Sequence, residues 1–315
     1  MRTVFGVNIQ TQENDEFQTR VLNPGSLGNA AARYRKESFW SLENYLTYNK
    51  QIGTAHNFTG LLGISWQETN IFSTSASVNN FATDYFGYNN LGAGSVNPQV
   101  GSGASRFAFN SYFGRINYSL LTVTGRADGS SKFGANHKFA FFPSAALAWR
   151  VSEEPFLKTN PVISNMKLRT SYGLTGNSEI PPYTSLALLS SNYSTIYNDT
   201  RIGGTGIDRL ANPDLRWEKT AQTDVGLEIG LFKGRINLEA DYYYRLTTDM
   251  LLDAPVRRTS GYGTIRRNVG SMQNQGFEFG LNTVNIDRGG FTWNTSFNIS
   301  LNRNKVLSLS TPSDI

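Results

Sequence analysis

The chain has 315 residues, no cysteine and a formal net charge of +5. The missing cysteines exclude a disulfide framework and thiolate metal sites, while 39% hydrophobic and 13% aromatic residues are too many for a disordered chain. A negative mean hydropathy without any continuous apolar stretch excludes spanning helices, which need about 18 such residues, and the scattered basic residues form no stripe for a nucleic-acid partner.

Taken in chain order, the sequence begins on a strand. Arg2-Thr3-Val4-Phe5-Gly6-Val7-Asn8-Ile9 alternates at once and lacks the apolar core and small-residue cleavage site of a signal peptide, so the start is expected to be internal to a longer protein. Period-two alternation punctuated by Gly, Pro, Asn and Asp gives about eleven strands in all. They fall near 2–13, 38–52, 56–74, 105–117, 119–128, 138–151, 165–175, 215–232, 236–256, 268–286 and 291–307. Connections are long at 14–37, 75–104 and 176–214, with a further loop at 257–267. They are short at Gly53 to Ala55, near Asn117-Tyr118, at Lys233-Gly234-Arg235 and at Asp287-Arg288-Gly289-Gly290, and intermediate at 129–137 and 152–164. Almost nothing separates the two strand patterns at Arg115 to Leu121, so the hairpin there is either very tight or shifted in register. A short helix is expected only at Glu153 to Val162.

The hairpin from Leu215 to Val256 shows the face pattern. Trp217, Ala221, Val225, Leu227, Ile229 and Leu231 share one parity, and Glu218, Gln222, Asp224, Glu228 and Gly230 the other. On the second strand Ile236, Leu238, Ala240, Tyr242 and Tyr244 oppose Asn237, Glu239, Asp241, Tyr243 and Arg245. Soluble strands usually run to about five or six residues, so these runs suit a wall between lipid and a wet lumen. The last hairpin repeats the rule, with Phe291, Trp293, Thr295, Phe297, Ile299 and Leu301 against Thr292, Asn294, Ser296, Asn298, Ser300 and Asn302. A secreted soluble β-sandwich is the rival reading, but its polar face would meet bulk water and carry Lys and Glu instead of Asn, Ser and Thr. Phe141, Phe142, Trp149, Trp217, Tyr242 and Trp293 are expected to anchor the wall at its interfaces.

Signs of bond-breaking chemistry are weak. His56 and His137 lie at strand starts with no second ligand at metal spacing. Glu239 and Asp241 form an acidic pair, yet any polar lumen wall offers one. The glycine runs at 92–95 and 101–103 lack the Lys-Ser/Thr ending of a phosphate loop. Arg257-Arg258 and Arg266-Arg267 flank a loop and suit either solvent or phosphate contacts.

Several segments in order carry a resemblance: Arg126-Ala127-Asp128-Gly129-Ser130-Ser131-Lys132-Phe133-Gly134, Phe142-Pro143-Ser144, Ala148-Trp149-Arg150-Val151-Ser152, Lys167 to Gly173, Asn212-Pro213-Asp214-Leu215-Arg216-Trp217-Glu218 and Asn274-Gln275-Gly276-Phe277-Glu278. Over about residues 38 to 307 the chain resembles the SusC/RagA family of TonB-dependent outer-membrane transporters. The resemblance implies an all-β chain lying in the cell outer membrane against its lipids. It also implies a larger barrel of about 22 strands closed by a plug, energised by the TonB complex and lidded by a SusD-like surface lipoprotein. Residues 1–315 would be a single partial barrel domain, an open curved antiparallel sheet without plug, TonB box, signal peptide or closing C-terminal strands. Import of oligosaccharides, or of peptides, is the implied function, with no enzyme activity, cofactor or metal; a siderophore-type TonB receptor is the nearer alternative. By parity Asn237, Glu239, Asp241, Tyr243 and Arg245 are the candidate substrate-contacting wall. Loops 75–104 and 176–214 are expected to help capture ligand or dock the lid, with Tyr183, Tyr193 and Tyr197 placed to stack on sugar faces.

Overall fold

The computed structural model describes residues 1–21, 27–53 and 56–309. Its strands are β1 Arg2–Gln18, β2 Asn29–Ile52, β3 His56–Phe81, β4 Gly94–Tyr118, β5 Leu121–Ser130, β6 Phe139–Arg150 and β7 Ile163–Asn177. They continue with β8 Leu188–Tyr197, β9 Thr200–Arg209, β10 Glu218–Leu231, β11 Ile236–Thr248, β12 Leu251–Pro255, β13 Thr264–Asn268, β14 Ser271–Arg288 and β15 Phe291–Ser308. Eleven of them form one sheet in the order β1-β2-β3-β4-β5-β6-β7-β10-β11-β14-β15, open at β1 and β15, and β8-β9 and β12-β13 are separate hairpins. The all-β, eleven-stranded antiparallel reading therefore holds. No described helix is long and apolar enough to cross a membrane. The turn expected at Gly53 to Ala55 lies partly outside the described residues, as do positions 22–26 of the first expected loop.

Two compact units are distinguished. The first comprises Arg2–Asn44 and Ser65–Asn110. Its small core joins Ala30, Val78 and Phe81, with Phe17, Leu91 and Ala93 packed against them; Phe17 meets Phe81 edge-on at 5.5 Å. Arg20 closes the end of this unit, donating to Asp84 and to the Ala82 carbonyl, both at 2.9 Å. The expected loops 14–37 and 75–104 are largely strand here. Their Ser, Asn and Gly residues carry weak β-propensity, but ladder pairing satisfies the backbone whatever the side chain.

The second unit comprises Met1, Tyr45–Ile64 and Ser111 onward. In it β7, β10, β11 and β14 pair in register, so that Val225, Tyr242, Phe277 and Leu301 form one row across β10, β11, β14 and β15. All four are exposed, as are Phe141, Leu147, Trp293 and Phe297. The adjacent row runs Ser171, Asp224, Tyr243, Gly276 and Asn302. One face thus carries exposed apolar side chains from strand to strand, which marks an interaction surface, and the other is polar.

Short turns join β4 to β5, β10 to β11 and β14 to β15, while on the same rim β6 and β7 are joined by the longer link 151–162. Gly289 and Gly290 both have positive φ, as a two-residue hairpin matched to sheet twist requires. Phe232, Lys233 and Gly234 turn β10 into β11 in the left-handed region. The hairpin near Asn117 is the very tight one, turning at Ser119-Leu120 with Ser119 at φ 47. Two expectations are corrected. The strand expected at 236–256 breaks after Thr248, because Asp249 takes φ 56 and redirects the chain into the β12-β13 hairpin. Glu153 to Val162 forms no α-helix: a 3-10 turn at Val151–Glu153 is followed by turns closed by the Leu157 and Lys158 amides on the Glu154 carbonyl and by the Asn160 amide on the Leu157 carbonyl, and Pro161 ends them.

Candidate functional site

The polar face is built from four neighbouring strands. Glu228 stands directly opposite Glu239, and Asp241 opposite Glu278. Facing like charges are unfavourable, and β7 supplies the compensating cations. Lys167 donates to Glu228 at 3.2 Å. Arg169 reaches Glu228 at 3.2 Å and Asp241 at 2.7 Å, and also donates to Glu239. Arg169 on β7 and Asp241 on β11 lie on opposite sides of β10, and both have Gly226 as their register partner. A Cβ at Gly226 would fall 2.2 Å from the Asp241 carboxylate and 2.4 Å from the Arg169 guanidinium. The glycine is what lets the ion pair pass over the middle strand.

Further along the same face Arg245 donates to Gln222 at 3.1 Å, Gln222 to Asp224 at 2.8 Å, and the Ser171 hydroxyl to Asp224 at 3.0 Å. Tyr243 lies over Gly276, where a Cβ would come within 2.4 Å of its hydroxyl. Asn237 instead serves the turn, donating to the Gly234 carbonyl at 2.8 Å. The five residues singled out by parity therefore share one strand face. Glu239 and Asp241 share Arg169, while Asn237 is tied to the β10-β11 turn. Lys167, Arg169, Asp224 and Glu228 were not singled out as site residues. Charge alternation in Lys167-Leu168-Arg169 was the available signal, but a β7 cation can be matched to β11 only when the strand order is known.

The ordered sequence motifs meet at the opposite ends of these strands. Phe133, Phe142, Leu215 and Trp217 are buried, with Trp217 at 4.9 Å from Phe133 and edge-on to Phe142 at 5.5 Å. The Trp217 indole donates to the Lys138 carbonyl at 3.0 Å, and the Gly134 amide to the Leu215 carbonyl at 2.9 Å. Gly134 abuts the Pro213 carbonyl so closely that a Cβ would overlap it at 1.7 Å. Asn268 holds the next segment, accepting from the Arg216 amide at 2.8 Å and donating to the carbonyls of Arg216 and Asp249. Glu218 accepts from the Leu251 amide and from Asn177. Trp217 and Phe142 are consequently not interface anchors: Phe142 follows Phe141 on β6 and so takes the opposite, polar face, and Trp217 precedes β10, where the chain at 212–217 packs on the β5-β6 loop. Phe141, Trp149, Tyr242 and Trp293 are exposed on the apolar face, and Tyr242 stands at the middle of β11 and not at its end.

Arg216 pairs with Asp249 through two contacts, the shorter at 2.8 Å. The hydrogen bond and charge of Asp249 raise the guanidinium pKa against its partial burial. Asp249→Asn keeps a residue that tolerates positive φ and removes the charge, so it is expected to cost about 0.5–1 kcal/mol at most. The loss should shrink in high salt, and a urea midpoint that falls equally at low and high salt would contradict an ionic role.

The fold and its two-faced wall define a class, the outer-membrane barrel, and comparison with known proteins places the chain within it. Residues 2–312 match the family described as TonB dependent receptor-like, beta-barrel. TonB-dependent receptor P3 of Formosa agariphila is 39% identical over 100% of this chain and 32% of its own length. TonB-dependent receptor SusC of Bacteroides thetaiotaomicron is 38% identical over 65% of this chain and 21% of its own. A solved structure of the RagAB peptide transporter superposes with a TM-score of 0.85 at 29% identity, covering 98% of this chain and 34% of that one. The chain belongs to the TonB-dependent receptors, in their SusC/RagA branch, and is an outer-membrane barrel segment. It spans about a third of the length of the curated relative it matches over its whole extent. Membership overturns the soluble β-sandwich reading and accounts for the exposed apolar row as lipid contact.

Proposed function

We propose that this chain forms part of the barrel wall of a TonB-dependent importer of oligosaccharides, acting by ligand passage and not by bond breaking. The observation that carries the cargo class is the lumen-side face of β14 and β15, where Asn274, Asn282, Asn298, Asn302 and Asn304 recur and the charges are Glu278 and, beside the turn, Asp287. Amide side chains offer both donors and acceptors to hydroxyl-rich ligands. The likeness to SusC and RagAB supports a whole receptor energised through TonB and lidded by a SusD-like lipoprotein. On this reading Tyr243 and Arg245 are the wall residues best placed to touch cargo, Asn237 serves the turn, and Glu239 with Asp241 set the local charge.

Deleting the receptor gene should abolish growth on one class of oligosaccharide, restored by the wild-type gene. Tyr243→Ala with Arg245→Ala should reduce uptake of that glycan several-fold at unchanged receptor abundance in the membrane. Uptake of peptides in place of glycans by the same strain would move the cargo to the class named for RagAB, and the charged cluster around Arg169 would then be the wall feature to examine. Loss of siderophore uptake alone would replace the SusC-type reading.

A further inference from the structure

We infer that the lipid-facing surface of β2 to β5 carries a seat for one phospholipid acyl chain from the periplasmic leaflet. The inference depends on the membrane placement of the fold and not on the cargo. A groove of about 390 Å³ opens between Leu46 and Tyr48 of β2, Leu62 of β3, Ile116 of β4 and Val123 of β5. All five side chains are exposed. Its floor is backbone at Gly60, Gly114 and Gly125, and its Leu62 wall leans inward, so that a Cβ at Gly114 would approach Leu62 to 3.1 Å. The lining is largely apolar, with Arg115 as its one charged residue, so it offers water few partners.

Depth follows from the strand ends. Ile116 lies just before the end of β4 at Tyr118, Val123 just after the start of β5 at Leu121, and Gly60 one short step into β3. At about 3.4 Å per residue and a strand tilt of about 35–45°, the groove sits roughly 10 Å from the short-turn rim. The apolar band of such barrels is about 25 Å tall and its short turns are periplasmic, so this is the periplasmic half. The rimward end is marked by amphipathic rings. His56 and Tyr118 stack at 5.8 Å and share a 2.8 Å hydrogen bond, and Tyr48 meets Phe58 edge-on at 6.3 Å. Rings with a polar tip settle at headgroup level. A chain whose ester lies beside His56 and Tyr118 and whose tail runs along the glycines matches this order of polar then apolar surface. Continuity with the surrounding lipid-facing wall favours a lipid over a second copy of the chain, and the periplasmic depth favours a phospholipid over lipopolysaccharide.

The test is photolabelling of the receptor in outer-membrane vesicles with a phosphatidylethanolamine carrying a diazirine in its acyl chain, followed by peptide mapping. Labelling is expected to concentrate several-fold on peptides covering 46–62 and 114–125 over those bearing Val225, Tyr242 and Phe277, which are apolar but floor no such groove. Gly114→Leu fills the floor and should remove that excess, whereas Val123→Ala should keep it. Even labelling of both regions would overturn the seat. Equal labelling by a diazirine-bearing lipid A would overturn the leaflet assignment, and a disulfide between two copies of Tyr48→Cys in place of lipid labelling would make a second copy the occupant.

Discussion

Trp217→Ala is expected to lower receptor stability by about 3–5 kcal/mol, the range for emptying a buried aromatic site. The ring fills the space between Phe133 and Phe142 and is almost wholly buried. Its removal also leaves the Lys138 carbonyl without the indole donor. Because the same cluster anchors 131–138 on 212–217, the loss should appear in two ways. The denaturant midpoint of the detergent-solubilised receptor should fall, and limited proteolysis should begin at those two segments. Trp217→Phe retains most of the packing and should cost about 1–2 kcal/mol, chiefly the hydrogen bond. An alanine variant with wild-type midpoint and proteolysis pattern would show that the cluster does not hold the rim.

Arg169→Glu should be the most damaging change on the polar face. It replaces the cation shared by Glu228, Glu239 and Asp241 with a fourth carboxylate. Breaking a fully buried pair costs about 3–5 kcal/mol; these groups are partly exposed to a wet lumen, so roughly 2 kcal/mol is expected after screening. Arg169→Lys should recover only part of this, since an ammonium cannot fork to several carboxylates as a guanidinium does. The check is the unfolding midpoint at low and high salt. A reversal that leaves both midpoints unchanged would mean the carboxylates are already neutralised by other means.

Much of the wall was legible in the sequence because the period of two runs through β10 and β11 and through β14 and β15 up to the bulge at Val284/Ile286. The face assignment of Val225, Tyr242, Phe277 and Leu301 needed nothing else. Strand limits failed where polar residues without a preference were recruited by pairing, as at 75–81 and 94–104. Asp249 escaped notice because a left-handed residue inside an alternating run leaves no mark on the alternation. Trp217 was misplaced for a related reason: parity was extended past the true start of β10 at Glu218. The ordered motifs pointed to the family, but only the folded chain shows that Arg126 to Gly134 and Asn212 to Glu218 are partners in packing.

The crossing of Arg169 and Asp241 above Gly226 also works as a gauge of alignment during barrel assembly. A two-residue slide of β10 keeps every side chain on its proper face and so escapes the penalty that guards against odd slips. Such a slide would bring Asp224 or Glu228 under the crossing in place of the glycine. Either carboxylate would block the bridge sterically and add a negative charge beneath it. One absent side chain therefore distinguishes the correct alignment of three strands from its nearest face-preserving errors.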